Sequence, residues 1–160
     1  MTVSVSFAAR DLRPEEVDGL TWCGPPSHLR NVAVEVARVA EGDVFYLAVC
    51  GPNDVPVAVG GADLTRSEGT GRLYQFAVLP ALQSCGLGTL LIGALEDRVR
   101  ERGLRRMDIG VGEDNARAKA LYERLGYRVF GSEVDRWTYE RDDGTVATVE
   151  DLCTLLGKDL

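Results

Sequence analysis

Apolar residues in the first half of the chain recur with periods that predict a strand, two helices and a hairpin. Val3 to Phe7 alternates apolar and polar residues, which is typical of an opening strand. Pro14 followed by Glu15 and Glu16 suits the first turn of a short helix. The apolar positions of a second helix, which ends near Gly42, are Leu29, Val32, Val36 and Val39.

Two apolar runs follow the second helix. Val44 to Cys50 and Pro56 to Asp63 are rich in strand-forming residues, and the segment GPND between them is a turn signal. We therefore expect a β-hairpin here. A further strand, Arg72 to Val78, ends at Pro80.

The second half of the chain alternates strands with helices before a closing hairpin. A helix that stops at Gly103 has its apolar residues at helical spacing, namely Leu87, Leu90, Leu91, Ala94 and Leu95. Met107 to Val111 alternates as a strand. The next helix is capped by Asp114 or Asn115 and ends at Gly126. Two last strands, Arg128 to Arg141 and Val146 to Leu156, form the closing pair.

This element order mixes a hairpin half with a βαβ half. It predicts an α/β fold built on a single mixed, mostly antiparallel sheet, with a central parallel βαβ crossover and flanking helices. The chain shows no internal repeat, low-complexity tract or linker, so we expect one domain over residues 1–160.

The net charge of -7 is unevenly distributed. Arg72 to Arg128 carries a balance of +3, whereas the flanks together carry -10. The acidic total argues against nucleic acid as a partner, because phosphate binding needs a basic surface. The basic centre is compatible with a smaller anionic ligand.

Several classes of protein are disfavoured by composition. The four cysteines and the single histidine lack metal-ligand or disulfide-framework spacing, so no metal is expected. The uncharged stretch from Leu73 to Leu95 holds too many polar and helix-breaking residues for a membrane span. The N-terminus has no basic start before an apolar stretch, which predicts a cytoplasmic protein.

The turn from Gln83 to Gly88, with the sequence QSCGLG, stands between a predicted strand and an amphipathic helix. Its glycines let backbone amides approach a ligand, and the helix N-terminus favours negative charge, so the turn suits phosphate. It lacks the lysine of GxxxxGK[ST] and the last glycine of GxGxxG. Taken alone, the same turn is also compatible with a tight connection.

The helix NARAKALYERLGY places Asn115 and Tyr122 seven residues apart, which puts them on one stripe of its surface. Separately, the asparagine suits a helix cap and the tyrosine a core position. Because it contains both motifs, the sequence resembles the GCN5-related N-acetyltransferases (GNAT). Gln83 to Gly88 matches that family's QxxGxG turn, Phe76 to Pro80 its central strand and NARAKALYERLGY its second motif.

The resemblance implies acetyl-CoA as the co-substrate and assigns its binding residues. The residues implied to contact its pyrophosphate are Gln83, Ser84, Cys85, Gly86, Leu87, Gly88 and Thr89. Phe76, Ala77 and Val78 would pair through their backbone with the pantetheine arm, which Asn115 would also hold. Tyr122 would donate a proton to the departing CoA thiolate after direct attack by a primary amine. Cys85 in the phosphate turn is a poor candidate for a covalent route.

The sequence departs from the family pattern in two ways. Ser84 and Cys85 are neutral where relatives commonly carry basic residues, so neighbouring arginines could assist phosphate binding. Arg72 and Gly110 occupy the positions where the family often keeps a glutamate base. The proton acceptor is therefore open; the candidates are Asp63, Glu68, Asp108 and a chain of water molecules, and each carboxylate is also explained as a solvated charge.

The acceptor is predicted to be a small molecule, with a cationic amine matching the acidic flanks. Trp22, Trp137 and Tyr139 are candidates for its walls, with core packing as the alternative. Rival functions are acetylation of a protein amine, a non-catalytic CoA sensor and a structural domain without cofactor. The sequence leaves the oligomeric state open, and a homodimer is one of the states it allows.

Overall fold

The computed structural model describes all 160 residues, which fold into a seven-stranded sheet with helices on both faces. The strands are β1 (Ala8–Asp11), β2 (Val44–Cys50), β3 (Pro56–Ser67), β4 (Thr70–Val78), β5 (Arg106–Gly112), β6 (Arg128–Glu140) and β7 (Val146–Asp159). The α-helices are α1 (Pro26–Ala37), α2 (Leu87–Glu101) and α3 (Ala116–Arg124). Short 3₁₀ helices span Pro14–Gly19, Arg38–Glu41 and Pro80–Leu82.

The strand order in the sheet is β1-β2-β3-β4-β5-β7-β6. Only β4 and β5 run parallel, and α2 connects them, as a βαβ crossover requires. All other neighbouring strands are antiparallel. The mixed, mostly antiparallel sheet expected from the element order is therefore confirmed.

The sheet separates two hydrophobic cores. On one face, Leu91 and Leu95 of α2 and Tyr122 of α3 pack in a cluster of 16 buried residues. On the other face, Val32 and Val36 of α1 belong to a cluster of nine. None of the helices combines the length and apolar character needed to cross a bilayer.

The expected opening strand at Val3 to Phe7 is wrong. The first strand is Ala8–Asp11, whose residues pair with Cys50 back to Leu47 of β2. Because β2 ends at Cys50, residues before Ala8 have no strand to pair with, and Val3 and Val5 are exposed. Alternation alone does not make a strand where the ladder has ended.

The last strand extends beyond the predicted end at Leu156 to Asp159. Gly157 interrupts the apolar pattern, but it lies where the Arg106 side chain crosses the sheet, so a larger residue would collide there. The ladder with β5 continues past it to the pair of Arg106 with Asp159. β7 thus pairs with both β5 and β6 from Cys153 to Gly157.

Candidate functional site

A cleft opens where β4 and β5 separate. The two strands pair from Thr70 with Arg106 to Leu73 with Ile109, and no pair follows toward their C-terminal ends. The opening has a volume of about 200 Å³ and is walled by both strands and α3. Its lining includes Gln75, Phe76, Gly110, Val111, Asn115 and Tyr122.

A β-bulge in β4 lies at the start of this separation. Tyr74 stands opposite Gly61 of β3 and Ala77 opposite Val59, so Gln75 and Phe76 together face the single residue Gly60. Gln75 has φ of 50°, in the left-handed region that side chains other than glycine rarely adopt. A bulge of this kind bends its strand and increases local twist, which accounts for the divergence of β4 from β5.

The glycine turn leads directly into α2. Ser84 and Gly86 have φ values of 63° and 83°, and Gly86 is the N-cap of the helix without any side-chain cap. The first amides of α2 have no partner within the helix and are available to an anion. A Cβ at Gly88 would lie 3.0 Å from Cζ of Phe76, so a side chain there would crowd the Phe76 ring where the turn meets the cleft.

Asn115 and Tyr122 both line the cleft, which agrees with the shared stripe of the helix that their seven-residue spacing predicts. The Asn115 Oδ1 accepts a hydrogen bond from the Ala118 amide at 3.1 Å, so this side chain caps α3 and still has its amide hydrogens free. The cap predicted for this residue is therefore confirmed, and it leaves the side-chain amide hydrogens available to a ligand.

Tyr122 is 4% exposed, and its hydroxyl makes no hydrogen bond within the chain. Its ring packs edge-on to Phe76 and Tyr127, with centroid distances of 6.3 and 6.2 Å. Burial raises the pKa of Tyr122 to about 12, because the phenolate would lose its hydration. The phenol is thus protonated throughout the neutral range.

The remaining predicted cofactor residues divide between the turn and β4. Ala77 and Val78 pair with Val59 and Ala58 of β3 just beyond the bulge. Leu87 is buried in the core, whereas the turn residues Gln83, Ser84, Cys85 and Gly86 and the helix residue Thr89 are exposed. Phe76 contacts both the turn at Gly88 and the ring of Tyr122, and so connects the two motifs.

None of the three candidate carboxylates lines the cleft. Asp63 is bound by Arg38 at 3.1 Å and by the Thr65 hydroxyl at 2.6 Å. Burial acts to raise the pKa of Asp63, but the hydrogen bonds from Thr65 and Arg38 outweigh it and lower that pKa. Glu68 lies in the turn before β4, and Asp108 is paired with Arg106 Nε at 2.8 Å.

The aromatic acceptor-wall candidates fall in two places. Trp22 is half-buried and packs against the α1 core, which favours its structural role. Trp137 and Tyr139 are 43% and 44% exposed on β6. Alternation along β6 puts both on the same face of the sheet as Glu133, which pairs with Arg72.

An ion pair beside the cleft was not expected from the sequence. Arg72 Nη1 donates to Glu133 Oε1 at 2.7 Å, and the same Nη1 lies 3.8 Å from where a Cβ of Gly110 would be. The Arg72 Nε is buried without a partner. The two residues are 61 positions apart, and only the register of β5, β7 and β6 brings them together.

Two further charged features surround the site. Arg117, in the first turn of α3, donates to the Ser84 hydroxyl of the glycine turn and so supplies the neighbouring arginine that a neutral turn calls for. On the hairpin, Asp135 stands directly opposite Asp151, and Glu133 opposite Cys153. These three carboxylates form an acidic face on the same side of the sheet as Arg72.

Comparison with known proteins places this architecture in a family. The family described as acetyltransferase (GNAT) matches residues 10–127. A ribosomal protein bS18-alanine N-acetyltransferase of Haemophilus influenzae is 40% identical over 63 residues, 39% of this chain and 40% of that protein. A mycothiol acetyltransferase of Nocardiopsis dassonvillei is 37% identical over 115 residues, 68% of this chain and 34% of that protein. The chain thus spans well under half of the length of these relatives.

Solved structures share the whole fold at low sequence identity. An IAA acetyltransferase from Bacillus cereus has a TM-score of 0.73 at 19% identity, covering 97% of this chain and 100% of that one. A PaiA N-acetyltransferase from Thermoplasma acidophilum, in complex with coenzyme A, has a TM-score of 0.70 at 12% identity, covering 97% and 99%. Fold, motifs and family match agree, and this chain belongs to the GNAT acetyltransferase family.

Proposed function

We propose that the protein is an acetyl-CoA-dependent N-acetyltransferase that acetylates a primary amine by direct attack. The observation that carries the proposal is the shared cleft: a buried phenol without a hydrogen-bond partner, Tyr122, faces the bulged strand β4 where that strand leaves β5. A polar hydroxyl in such a position is available to a reacting group rather than to the core.

The residues of the turn fit the anionic part of CoA. The uncapped N-terminus of α2 offers amides from Leu87 onward, and Arg117 adds a positive charge next to Ser84. No atom lies within 4 Å of the position that a Cβ of Gly86 would occupy, so the turn is open to solvent and to a ligand. Amides, a helix end and one guanidinium together suit a pyrophosphate.

The cleft fits the extended arm of the cofactor. Past Leu73 the edge of β4 facing the cleft is unpaired with β5, so the backbone of Phe76 to Val78 can pair with amide groups of the arm. The side-chain amide hydrogens of Asn115 remain free to hold the arm from α3. A β4 amide directed at the carbonyl oxygen of the thioester would stabilise the charge that develops there.

Bound acetyl-CoA supplies the acetyl group as a thioester. The amine nitrogen forms a bond to the acetyl carbon, the carbon–sulfur bond breaks, and Tyr122 donates its proton to the leaving sulfur. The attacking amine must first lose its own proton, because an alkyl ammonium has a pKa near 10. Asp63 and Asp108 are already paired with arginines, so water in the cleft is the better first acceptor of that proton.

A covalent route through cysteine has little support. Cys85 is exposed in the glycine turn, and its thiol donates only to the Gln83 carbonyl, at 3.7 Å. It does not line the cleft that holds Tyr122. Direct attack therefore remains the proposed mechanism.

The acceptor is proposed to be a small cationic amine, because the acidic face of Glu133, Asp135 and Asp151 lies beside the cleft. Acetylation of a protein amine is the alternative, and the name of the Haemophilus influenzae relative is the observation that favours it. The pattern of the ribosomal-protein acetyltransferases places a glutamate at the position that Gly110 occupies here. The lack of that carboxylate favours a small-molecule acceptor.

The direct experiment measures thiol release from acetyl-CoA with a panel of small amines and peptide N-termini. Tyr122→Phe should lower kcat by about 10²- to 10⁴-fold, the usual contribution of a general acid, with acetyl-CoA affinity nearly unchanged. The variant removes a hydroxyl without internal partners, so folding should be preserved. Tight acetyl-CoA binding with no turnover of any amine would instead identify a sensing domain.

Ligand-induced stabilisation tests the whole group of CoA-dependent functions. Acetyl-CoA at 100 times its Kd should stabilise the fold by about 2.7 kcal/mol. If the melting temperature stays constant at millimolar acetyl-CoA, both the enzyme and the sensor are excluded, and a structural domain remains.

A further inference from the structure

The left-handed conformation of Gln75 is supported by a contact that crosses a whole strand. Tyr46 lies on β2, and its hydroxyl donates to Gln75 Oε1 on β4 at 3.0 Å. Tyr46 is fully buried, at 0% exposure, and the bond to Gln75 is the one hydrogen bond of its hydroxyl. The strand between them, β3, has no side chain in the way.

Gly61 of β3 creates this passage. It pairs with Tyr46 on one side and with Tyr74 on the other. A Cβ at Gly61 would lie 2.9 Å from Cδ2 of Tyr46 and 2.7 Å from Cε1 of Tyr74, which real Cβ atoms do not approach. The two rings meet edge-on over this glycine at a centroid distance of 6.1 Å.

The Tyr46 bond acts on the residue that forms the bulge. A residue other than glycine at φ of 50° inside a strand is strained, and such strain persists only where surrounding contacts fix the conformation. With its Oε1 held by Tyr46, the Gln75 side chain cannot swing away with a relaxing backbone. The bulge in turn sets where Phe76 and the β4 edge stand in the cleft.

We propose that Tyr46 is a positioning residue for the cofactor cleft: its phenol holds Gln75 in the left-handed conformation and thereby keeps β4 separated from β5. The effect on acetyl-CoA binding rests on the proposed function, whereas the effect on the conformation of Gln75 does not require a ligand. Tyr46 does not line the cleft and acts through Gln75 alone.

The test combines Tyr46→Phe with Gln75→Gly. Phenylalanine keeps the ring and removes the bond, so Kd for acetyl-CoA should rise about five- to tenfold, the usual worth of one hydrogen bond. Glycine adopts φ of 50° without strain, so the bulge no longer needs the phenol. In the Gln75→Gly background, Tyr46→Phe should then change Kd by less than twofold.

Tyr127→Phe is the matched control. It also removes a buried phenol hydrogen bond, to Glu96 at 2.9 Å, at a place outside the cleft. It should lower the melting temperature about as much as Tyr46→Phe and leave Kd for acetyl-CoA unchanged. An equal rise in Kd for both variants would reduce Tyr46 to a general stabilising role.

A second readout needs no ligand. In nuclear magnetic resonance spectra of the free protein, the amide signals of Gln75 to Ala77 should shift or broaden in Tyr46→Phe. The signals of the double variant should then overlie those of Gln75→Gly. Failure of acetyl-CoA to bind wild type would overturn the proposed function but leave this readout intact. Unchanged signals in Tyr46→Phe, or the same rise in Kd in both backgrounds, would overturn the inference.

Discussion

Glu96 of α2 and Lys158 of β7 form a nearly buried ion pair, with Nζ 3.0 Å from Oε1 and 3.1 Å from Oε2. The Tyr127 hydroxyl donates to the same Oε1 at 2.9 Å. Glu96 is 5% exposed, and these partners satisfy the charge that burial would otherwise make costly. These contacts link α2 to β7 and to Tyr127, which lies in the short segment between α3 and β6.

Removal of one partner of this cluster should destabilise the fold. Glu96→Leu leaves Lys158 and Tyr127 without an acceptor, and we expect a loss of about 2 to 3 kcal/mol in unfolding free energy. The loss falls below that of a fully buried pair because the Lys158 side chain is 24% exposed. Urea denaturation measures it, with Lys119→Met on the surface of α3 as the control.

The double variant Glu96→Leu/Lys158→Met should recover more than half of that loss, since it removes both charges together. A double variant no more stable than Glu96→Leu would show that apolar packing, rather than the unpaired lysine, accounts for the effect.

Alkaline pH should destabilise the protein through its buried tyrosines. Burial raises the pKa of Tyr122 to about 12, and it also raises the pKa values of Tyr46, Tyr74 and Tyr127, from an ordinary value of 10. The unfolded chain therefore releases these protons first. Their contribution to stability is complete below pH 10 and declines as the pH rises from 10 toward 12.

Urea denaturation at pH 8 and pH 11 tests this relation. Tyr122→Phe should reduce the loss of unfolding free energy between the two pH values by on the order of 1 kcal/mol. Tyr139→Phe, an exposed residue, should leave the loss as it is in wild type. If both variants behave alike, Tyr122 does not carry the shift.

Arg117 should matter for phosphate recognition. Arg117→Gln removes the charge beside Ser84, and we expect Kd for acetyl-CoA to rise about three- to tenfold, with a weaker dependence on salt. Arg124→Gln, at the last turn of the same helix, is the matched control and should change Kd by less than twofold. Isothermal titration at two salt concentrations makes the measurement; equal effects of the two variants would contradict a specific role.

The acidic face of the hairpin should select cationic acceptors. Asp135→Asn/Asp151→Asn should raise KM for a dicationic amine several-fold and leave acetyl-CoA affinity unchanged. These carboxylates stand directly opposite each other, so the double variant should be at least as stable as wild type. Glu150→Gln, on the opposite face of β7, is the control. Equal effects on both substrates would leave the acidic residues a role in solubility alone.

Much of this molecule was predictable from periodicity and turn residues. The seven-residue spacing of Asn115 and Tyr122 predicted that both lie on one stripe of their helix, because helix geometry fixes which residues share a face, and both line the cleft. The strand predicted from the alternation of Val3 to Phe7 is wrong, because a strand also needs a neighbouring strand with free backbone groups. Local pattern carries no information about the partner.

The bulge and the ion pair could not be predicted. A glutamine in a strand pattern does not predict a positive φ. At Gln75 that conformation depends on Tyr46, whose side chain reaches across Gly61. Arg72 and Glu133 meet only after four strands, β4, β5, β7 and β6, have taken their register. Both features depend on long-range packing, which a local sequence pattern does not encode.

Within the sheet, only four parallel residue pairs, between β4 and β5, join its two halves, which are β1 to β4 on one side and β5, β7 and β6 on the other. In the proposed complex, an arm bonded to β4 and held by Asn115 would act as a missing span between these halves. Binding of the co-substrate would then fill the cleft and also make the sheet more rigid. Slower hydrogen exchange should spread from the cleft into β7 and β6, and the loaded molecule should behave as one continuous sheet.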